Sequence, residues 1–206
     1  MHFHDRKKLE HKNLVNLVEV IDDAKIDRMY LVQEFAEKGP VMKQGTDEPP
    51  IDAEHARNIF RQTLKGLEYL HFQNIIHRDI KPENILMAHD GTVKICDFGV
   101  SVVKETGDDS LADDKGTPAF MAPEALDPEE FPIAPTVGEK KRGEAIDMWS
   151  LGATLYQLVV GKPPFLASNM FLLAEKIKTT RADIPLHLDP ALRNILQKPV
   201  AGLRNT

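Results

Sequence analysis

The sequence predicts an α+β fold that is mainly helical, with its strands gathered toward the N-terminal half. Three observations predict it. "LVNLVEV" (residues 14–20) and "RMYLVQEF" (residues 28–35) are β-branched, partly alternating runs separated by a polar turn around Asp22 and Asp23. Apolar residues then recur at three- and four-residue steps from Ile51 to His71, which is the period of a helix with one buried face. Finally, "EAIDMWSLGATLYQLVVG" is apolar around nearly its whole circumference and reads as a buried central helix.

The elements follow in order. The two β-branched runs predict adjacent strands. Residues 39–50 carry two glycines and three prolines, so a connector is expected there. The helix from Ile51 to His71 should bury Ala56, Ile59, Phe60, Thr63, Leu64, Leu67 and Leu70. "IIHRDI" and "TVKICDF" read as short strands flanking loops, with "HDG" as a turn. Residues 102–115 contain five acids and no apolar period, which predicts an exposed loop. The central helix should end at Gly161 and the prolines Pro163 and Pro164, and Ser168 is the expected N-cap of a helix over residues 169–178 with Phe171, Leu172 and Ile177 inward.

Composition narrows the class. A chain of 206 residues with 42% hydrophobic content can bury a sizeable core. Its net charge of −6 supplies no basic stripe for nucleic acid or anionic lipid, so neither is an expected partner. Cys96 is the single cysteine, which excludes an internal disulfide framework and a cysteine-based zinc site and fits a reducing compartment. No apolar run reaches the length of a membrane span, and "MHFHDRKKLEHKN" lacks the apolar core of a signal peptide. A cytoplasmic protein, or a nuclear one, is the expectation.

The chemistry is concentrated in "IIHRDIKPENILMAHDGTVKICDFGV" (residues 75–100). Moving a γ-phosphoryl group to a hydroxyl requires an acceptor for the hydroxyl proton, cations against the triphosphate charge, and hard oxygen ligands for magnesium. Asp79 is the candidate base that orients the hydroxyl, Lys81 can reach the transferred phosphate, and Asn84 and Asp97 are oxygen donors for magnesium. The turn after Phe98 calls for the permissive Gly99.

In motif, order and spacing, "HRDIKPEN", "DFG" with its aspartate thirteen residues after Asn84, "GTPAFMAPE" and "DMWSLG" together resemble the eukaryotic protein kinase family. Lysine at Lys81 resembles the serine/threonine branch. "EFAEKGPVM" and "GTPAFMAPEAL" are similar to the calcium/calmodulin-dependent protein kinase kinases. The resemblance implies a protein-kinase-like fold, with residues 1–38 as a remnant of the small lobe and residues 39–206 as the large lobe, incomplete at its C-terminus. It implies ATP and magnesium as cofactors and a protein substrate, with the activation loops of other kinases as the suggested class.

Further roles come by resemblance alone. Gln33 is similar to the gatekeeper, Glu34 and Ala36 to the hinge that binds adenine through its backbone, and Leu86 to the apolar floor beneath it. Glu83 and Cys96 fall beside the nucleotide and Thr117 resembles the threonine that bridges the catalytic aspartate and lysine. Asp147 resembles the aspartate that braces the catalytic loop, with Trp149 its packing neighbour, and His77 the histidine that holds the loop backbone. Arg78 resembles the arginine that pairs with a phosphorylated activation-loop residue. Asp113 and Asp114 occupy that stretch here, so a carboxylate is expected to replace phosphate in part.

Plainer readings stand beside these. Cys96 fits a small buried filler, His2 and His4 an inert terminus rather than a metal site, residues 105–114 either a lure for basic substrates or a solvated loop, and Glu83 either a reader of a basic substrate residue or merely an exposed side chain. The departures from the family are equally specific. No Gly-rich loop and no "V-A-I-K"-like strand precedes Tyr30, and "QKPVAGLRNT" does not match the arginine-bearing segment that braces the glutamate at Glu124, with Arg204 a poor substitute. The stretch between Glu124 and Asp147 is longer than the family pattern. Truncation at both ends is therefore expected, and calmodulin control cannot be argued from this sequence. Two function classes follow: a serine/threonine protein kinase, or a catalytically impaired kinase-like fragment that binds or scaffolds. A lipid or small-molecule phosphotransferase fits "GTPAFMAPE" less well.

Overall fold

The computed structural model describes residues 9–23, 28–43, 49–97, 102–103, 118–126 and 138–197. Strands β1 (Leu17–Asp23) and β2 (Arg28–Gln33) pair antiparallel, with a register shift between Leu17 and Glu19. Asp22 and Asp23, expected in a turn, instead extend β1: in the ladder register Asp23 is opposite Arg28 and Asp22 opposite Met29. Every residue of β2 is exposed.

β3 (Gly39–Pro40) belongs to a three-stranded antiparallel sheet with β5 (Ile85–Met87) and β6 (Val93–Ile95), in the order β3-β5-β6. The expected connector thus begins as a strand. Gly39 takes φ 69, a left-handed conformation that leaves its neighbour free to face Leu86. The "HDG" turn joins β5 to β6, and Gly91 at φ 83 makes it possible. β4 (Ile75–Ile76) pairs with β7 (Val102–Val103), where an exposed loop was expected.

Helix α1 (Ala53–Phe72) starts where Asp52 Oδ1 accepts the N–H groups of Glu54 and His55, each at 3.0 Å, so two otherwise unpaired donors are capped. Its buried stripe is Ala56, Ile59, Thr63, Gly66, Leu67 and Leu70. Leu64, expected inside, lies on the exposed side, and Gly66 takes an inner position that the apolar pattern does not reveal. A Cβ on Gly66 would stand 2.8 Å from the Asn13 carbonyl oxygen, so glycine allows residues 9–15 to lie directly on the helix. Asn13 secures that contact by donating to Gln62 Oε1 at 3.0 Å and the Val93 carbonyl at 2.8 Å.

α2 (Pro123–Leu126) is a single turn after a 3₁₀ turn at Pro118–Phe120. α3 (Gly138–Val160) is the central helix, buried without interruption from Trp149 to Val159, and Gly161 at φ 85 ends it. Asn169, rather than Ser168, caps α4 (Met170–Thr179), its Oδ1 accepting the Leu172 N–H at 2.9 Å. Ile177 is buried there, while Phe171 and Leu172 are exposed, contrary to expectation. α5 (Pro190–Gln197) packs Leu192 and Leu196 against Leu155 and Val159 of α3. The main core lies between α1, α3 and the β5–β6 hairpin, joining Ile59, Leu67, Ile80, Ile85, Ile95 and Leu151. No helix among the described residues is long and apolar enough to cross a membrane.

Candidate active site

The segment between β4 and β5 carries three of the candidate residues, Asp79, Lys81 and Asn84, and α3 gives it its shape. Asp147 of α3 is fully buried, and its carboxylate accepts from the His77 N–H at 2.9 Å, the Arg78 N–H at 2.8 Å and His71 Nε2 at 2.8 Å. Charge-assisted bonds of this kind are about twice as strong as neutral ones. They hold Arg78 at φ 69, a left-handed conformation that a residue with a Cβ rarely adopts. Thr154, two turns further along α3, donates to the Ile80 carbonyl at 3.4 Å. The loop between His77 and Ile80 is thereby tied down on both sides of Asp79.

His77 acts as a bracket. Its Nε2–H donates to the Cys96 carbonyl at 2.9 Å, which leaves Nδ1 to accept the Asp79 N–H at 3.3 Å. The two strand-end segments that carry Asp79 and Asp97 are joined through this one ring.

Asn84 sits in the 3₁₀ turn Pro82–Asn84 and is buried. Its Nδ2 donates to the Asp79 carbonyl at 2.8 Å and to Asp79 Oδ2 at 2.9 Å, while its backbone carbonyl accepts the Cys96 N–H at 2.9 Å. The amide is therefore oriented, and Oδ1 is its remaining acceptor. Lys81 Nζ lies 2.8 Å from Asp79 Oδ2. Asp97 follows Cys96 at φ 58 and is exposed. Asp79, Lys81, Asn84 and Asp97 are thus brought together.

These residues fit a magnesium-bound triphosphate. Magnesium keeps several waters and takes one or two protein oxygens plus phosphate oxygens, and one oriented amide oxygen beside an exposed carboxylate is such a donor set. Among the described residues, no group of three or more histidine, cysteine, aspartate or glutamate side chains is placed to hold a metal ion.

The adenine-side candidates lie along the chain leaving β2. Gln33 closes β2 opposite Leu17, and the Glu34 N–H donates to the Asn16 carbonyl at 3.0 Å. The Glu34 carboxylate pairs with Lys94 at 2.7 Å. Ala36 is buried, and its carbonyl accepts the Gly39 N–H at 3.0 Å. Lys38 N–H donates to the Met87 carbonyl at 3.0 Å, so this segment lies directly beside β5, which carries Leu86. Glu83 is half-buried with Oε2 unpaired, rather than exposed. Burial, reinforced by the charge of Asp97, pushes the Cys96 thiol up to about 12, so it is a poor nucleophile and fits a packing role.

Thr117, Phe98, Gly99, Thr106, Ser110, Asp113, Asp114, His2, His4 and Arg204 lie outside the described residues. Three contributors were not singled out by the motifs: His71, Ser150 and Arg142. Ser150 Oγ donates to the Phe120 carbonyl at 2.9 Å and Arg142 donates to the Glu124 carbonyl at 3.1 Å. A polar residue interrupting an otherwise apolar helix was the available signal for Ser150.

With this geometry in place, comparison with known proteins is specific. The model of the protein kinase domain matches residues 3–198. The chain is 47% identical over 199 residues to a calcium/calmodulin-dependent protein kinase kinase of Caenorhabditis elegans, covering 96% of this chain and 35% of that protein. It is 45% identical to the serine/threonine-protein kinase ssp1 of Schizosaccharomyces pombe, over 87% of this chain and 28% of the relative. With SNF1-activating kinase 1 of Saccharomyces cerevisiae it shares 42% identity over 83% of this chain and 17% of the relative. The chain thus spans between about a sixth and a third of the length of these relatives.

Proposed function

Since this chain belongs to the protein kinase family, and the relatives it matches are serine/threonine kinases, we propose that it transfers the γ-phosphoryl group of ATP to serine or threonine hydroxyls of proteins. Activation loops of other kinases are the proposed substrate class, supported by the names of two relatives, a kinase kinase and a SNF1-activating kinase. In this reading residues 1–38 belong to the small lobe and residues 39–206 to the large lobe, and the protein works in the cytoplasm or nucleus.

The observation that carries the reading is Asn84, whose amide bridges the carbonyl and carboxylate of Asp79 and whose own carbonyl holds the segment leading to Asp97. One short unit thereby fixes both halves of a phosphoryl-transfer site. Asp79 accepts the hydrogen bond of the incoming hydroxyl and aims its oxygen. Lys81 steadies that carboxylate and, two residues away, offers its charge to the transferred group. Asn84 Oδ1 and the Asp97 carboxylate would hold magnesium, which would supply charge neutralisation for the triphosphate.

A second reading, a binding protein with impaired turnover, is favoured by the β1–β2 ribbon, which leaves Val18, Tyr30, Leu31 and Val32 exposed as a surface for a partner. Phosphate transfer to a protein acceptor and a magnesium-ATP thermal shift separate the two. Transfer, with a shift abolished by Asp97→Asn, supports the kinase. Neither transfer nor shift overturns the kinase reading for this chain and leaves the binding reading.

A further inference from the structure

α3 presents two neighbouring stripes, and their spacing follows from 3.6 residues per turn. Gly143, Asp147, Ser150 and Thr154 fall at steps of four, three and four. Three of them face the catalytic loop and β4: Asp147 and Thr154 bond the loop, and a Cβ on Gly143 would stand 2.6 Å from Ile76, while Ser150 between them reaches the Phe120 carbonyl instead. Arg142, Ile146 and Trp149 form the adjacent stripe. Ile146 and Trp149 pack with Ala122, and Ala125 and Leu126 lie against the same cluster, so this stripe faces residues 118–126.

Arg142 is the charged member of the second stripe. Its guanidinium donates to the backbone carbonyl of Glu124 at 3.1 Å, and its Nε is buried without a hydrogen-bond partner. Glu124 is itself buried at 3% exposure, and its Oε2 is likewise unpartnered. A buried carboxylate and a half-buried guanidinium, each with a buried unpaired atom, therefore share one side of α3. An isolated buried carboxylate is costly, and a guanidinium beside it is the chemistry that offsets the cost. Burial pushes the Glu124 carboxyl above its ordinary range while Arg142 pulls it down, so the two feel one another.

We propose that Arg142 is a positioning residue for the protein acceptor: it clamps residues 118–126 to the helix that also holds the Asp79 loop, and so fixes where an acceptor resting on them sits relative to Asp79. Ser150 at 2.9 Å from the Phe120 carbonyl sets one end of that segment and Arg142 the other. The proposal rests on the kinase reading for its acceptor but not for its geometry.

The test is Arg142→Met, which keeps an unbranched stem and removes charge and donors, beside Arg142→Lys, which restores the charge. The expected result for Arg142→Met is an increase of about tenfold in KM for the protein acceptor, with KM for ATP and ATP hydrolysis to water unchanged and with partial recovery in Arg142→Lys. Hydrogen exchange gives a second readout that needs no turnover: the Ala125 and Leu126 amides, both bonded to the Ala122 carbonyl, exchange faster in Arg142→Met while the Asn84 amide does not. If neither transfer nor hydrolysis occurs in the parent protein, the kinase reading fails and the exchange pattern alone decides the clamp. An unchanged acceptor KM, a parallel fall in all kinetic parameters with lost folded protein, or exchange at Ala125 and Leu126 equal to the parent overturns the proposal.

Discussion

Asp147 Oδ1 accepts the backbone N–H of Arg78 at 2.8 Å, and this bond holds Arg78 in the left-handed region at φ 69. A helix carboxylate thus dictates the backbone of the residue before the candidate base. Because the same carboxylate also serves His77 and His71, removing it strands three donors at once. Asp147→Ala is expected to cost about 3 to 5 kcal/mol of stability and to abolish phosphate transfer. Urea denaturation and a transfer assay check both, and a stability loss under about 1 kcal/mol contradicts the brace.

Gly66 sets the seating of residues 9–15 on α1. Alanine there gains about 1 kcal/mol of helix propensity, yet its Cβ would meet the Asn13 carbonyl and Ile95 Cδ1 at 2.8 Å. Overpacking typically costs about 1 to 3 kcal/mol, and the obstacle here includes backbone, so the steric effect wins. Gly66→Ala is expected to lower the denaturation midpoint; a raised midpoint would show that Asn13 moves freely.

Cys96 gives a chemical probe of the ground beside Asp97. With its thiol pushed up to about 12, alkylation at pH 8 should run roughly a thousandfold slower in the native protein than in denaturant. Mass spectrometry after iodoacetamide treatment measures the ratio. Equal rates would place Cys96 in a more exposed, polar setting than the one described.

Glu124 contributes a pH dependence with a definite sign. Burial raises its folded-state value above the ordinary 4.5, so the folded protein holds the proton more tightly than the unfolded chain. That contribution is fully present below about 4.5 and is lost as pH rises through the folded value. Glu124→Gln removes it. The variant's stability relative to the parent is expected to improve as pH rises from 4.5 through the folded value and then to level off, in denaturation curves at fixed salt. A difference independent of pH refutes the burial account.

Much of the candidate site was legible because it is local. Asp79, Lys81 and Asn84 lie within six residues, so the spacing that identifies them also makes them neighbours, as the bonds between them show. The α1 stripe was readable for a similar reason, since helical period and burial coincide from Ala56 to Leu70. What was not legible is nonlocal. The pairing of Val102 with Ile76 joins two-residue strands too short to carry a pattern, and Glu124 meets Arg142 from 18 residues away in sequence. Leu64 illustrates a different limit: its position continues the apolar period, yet it is exposed, because period alone does not tell how wide a face the neighbouring elements cover.

The central claim is that Asp79, held by Asn84 and Lys81, aims an acceptor hydroxyl at a phosphate carried by the Asn84–Asp97 pair. Its most direct measurement is the single-turnover transfer rate of Asp79→Asn, an isosteric change that removes the accepting charge. The account predicts a loss of about 10² to 10⁴ in rate with magnesium-ATP affinity unaltered. Transfer at the parental rate in Asp79→Asn would contradict it.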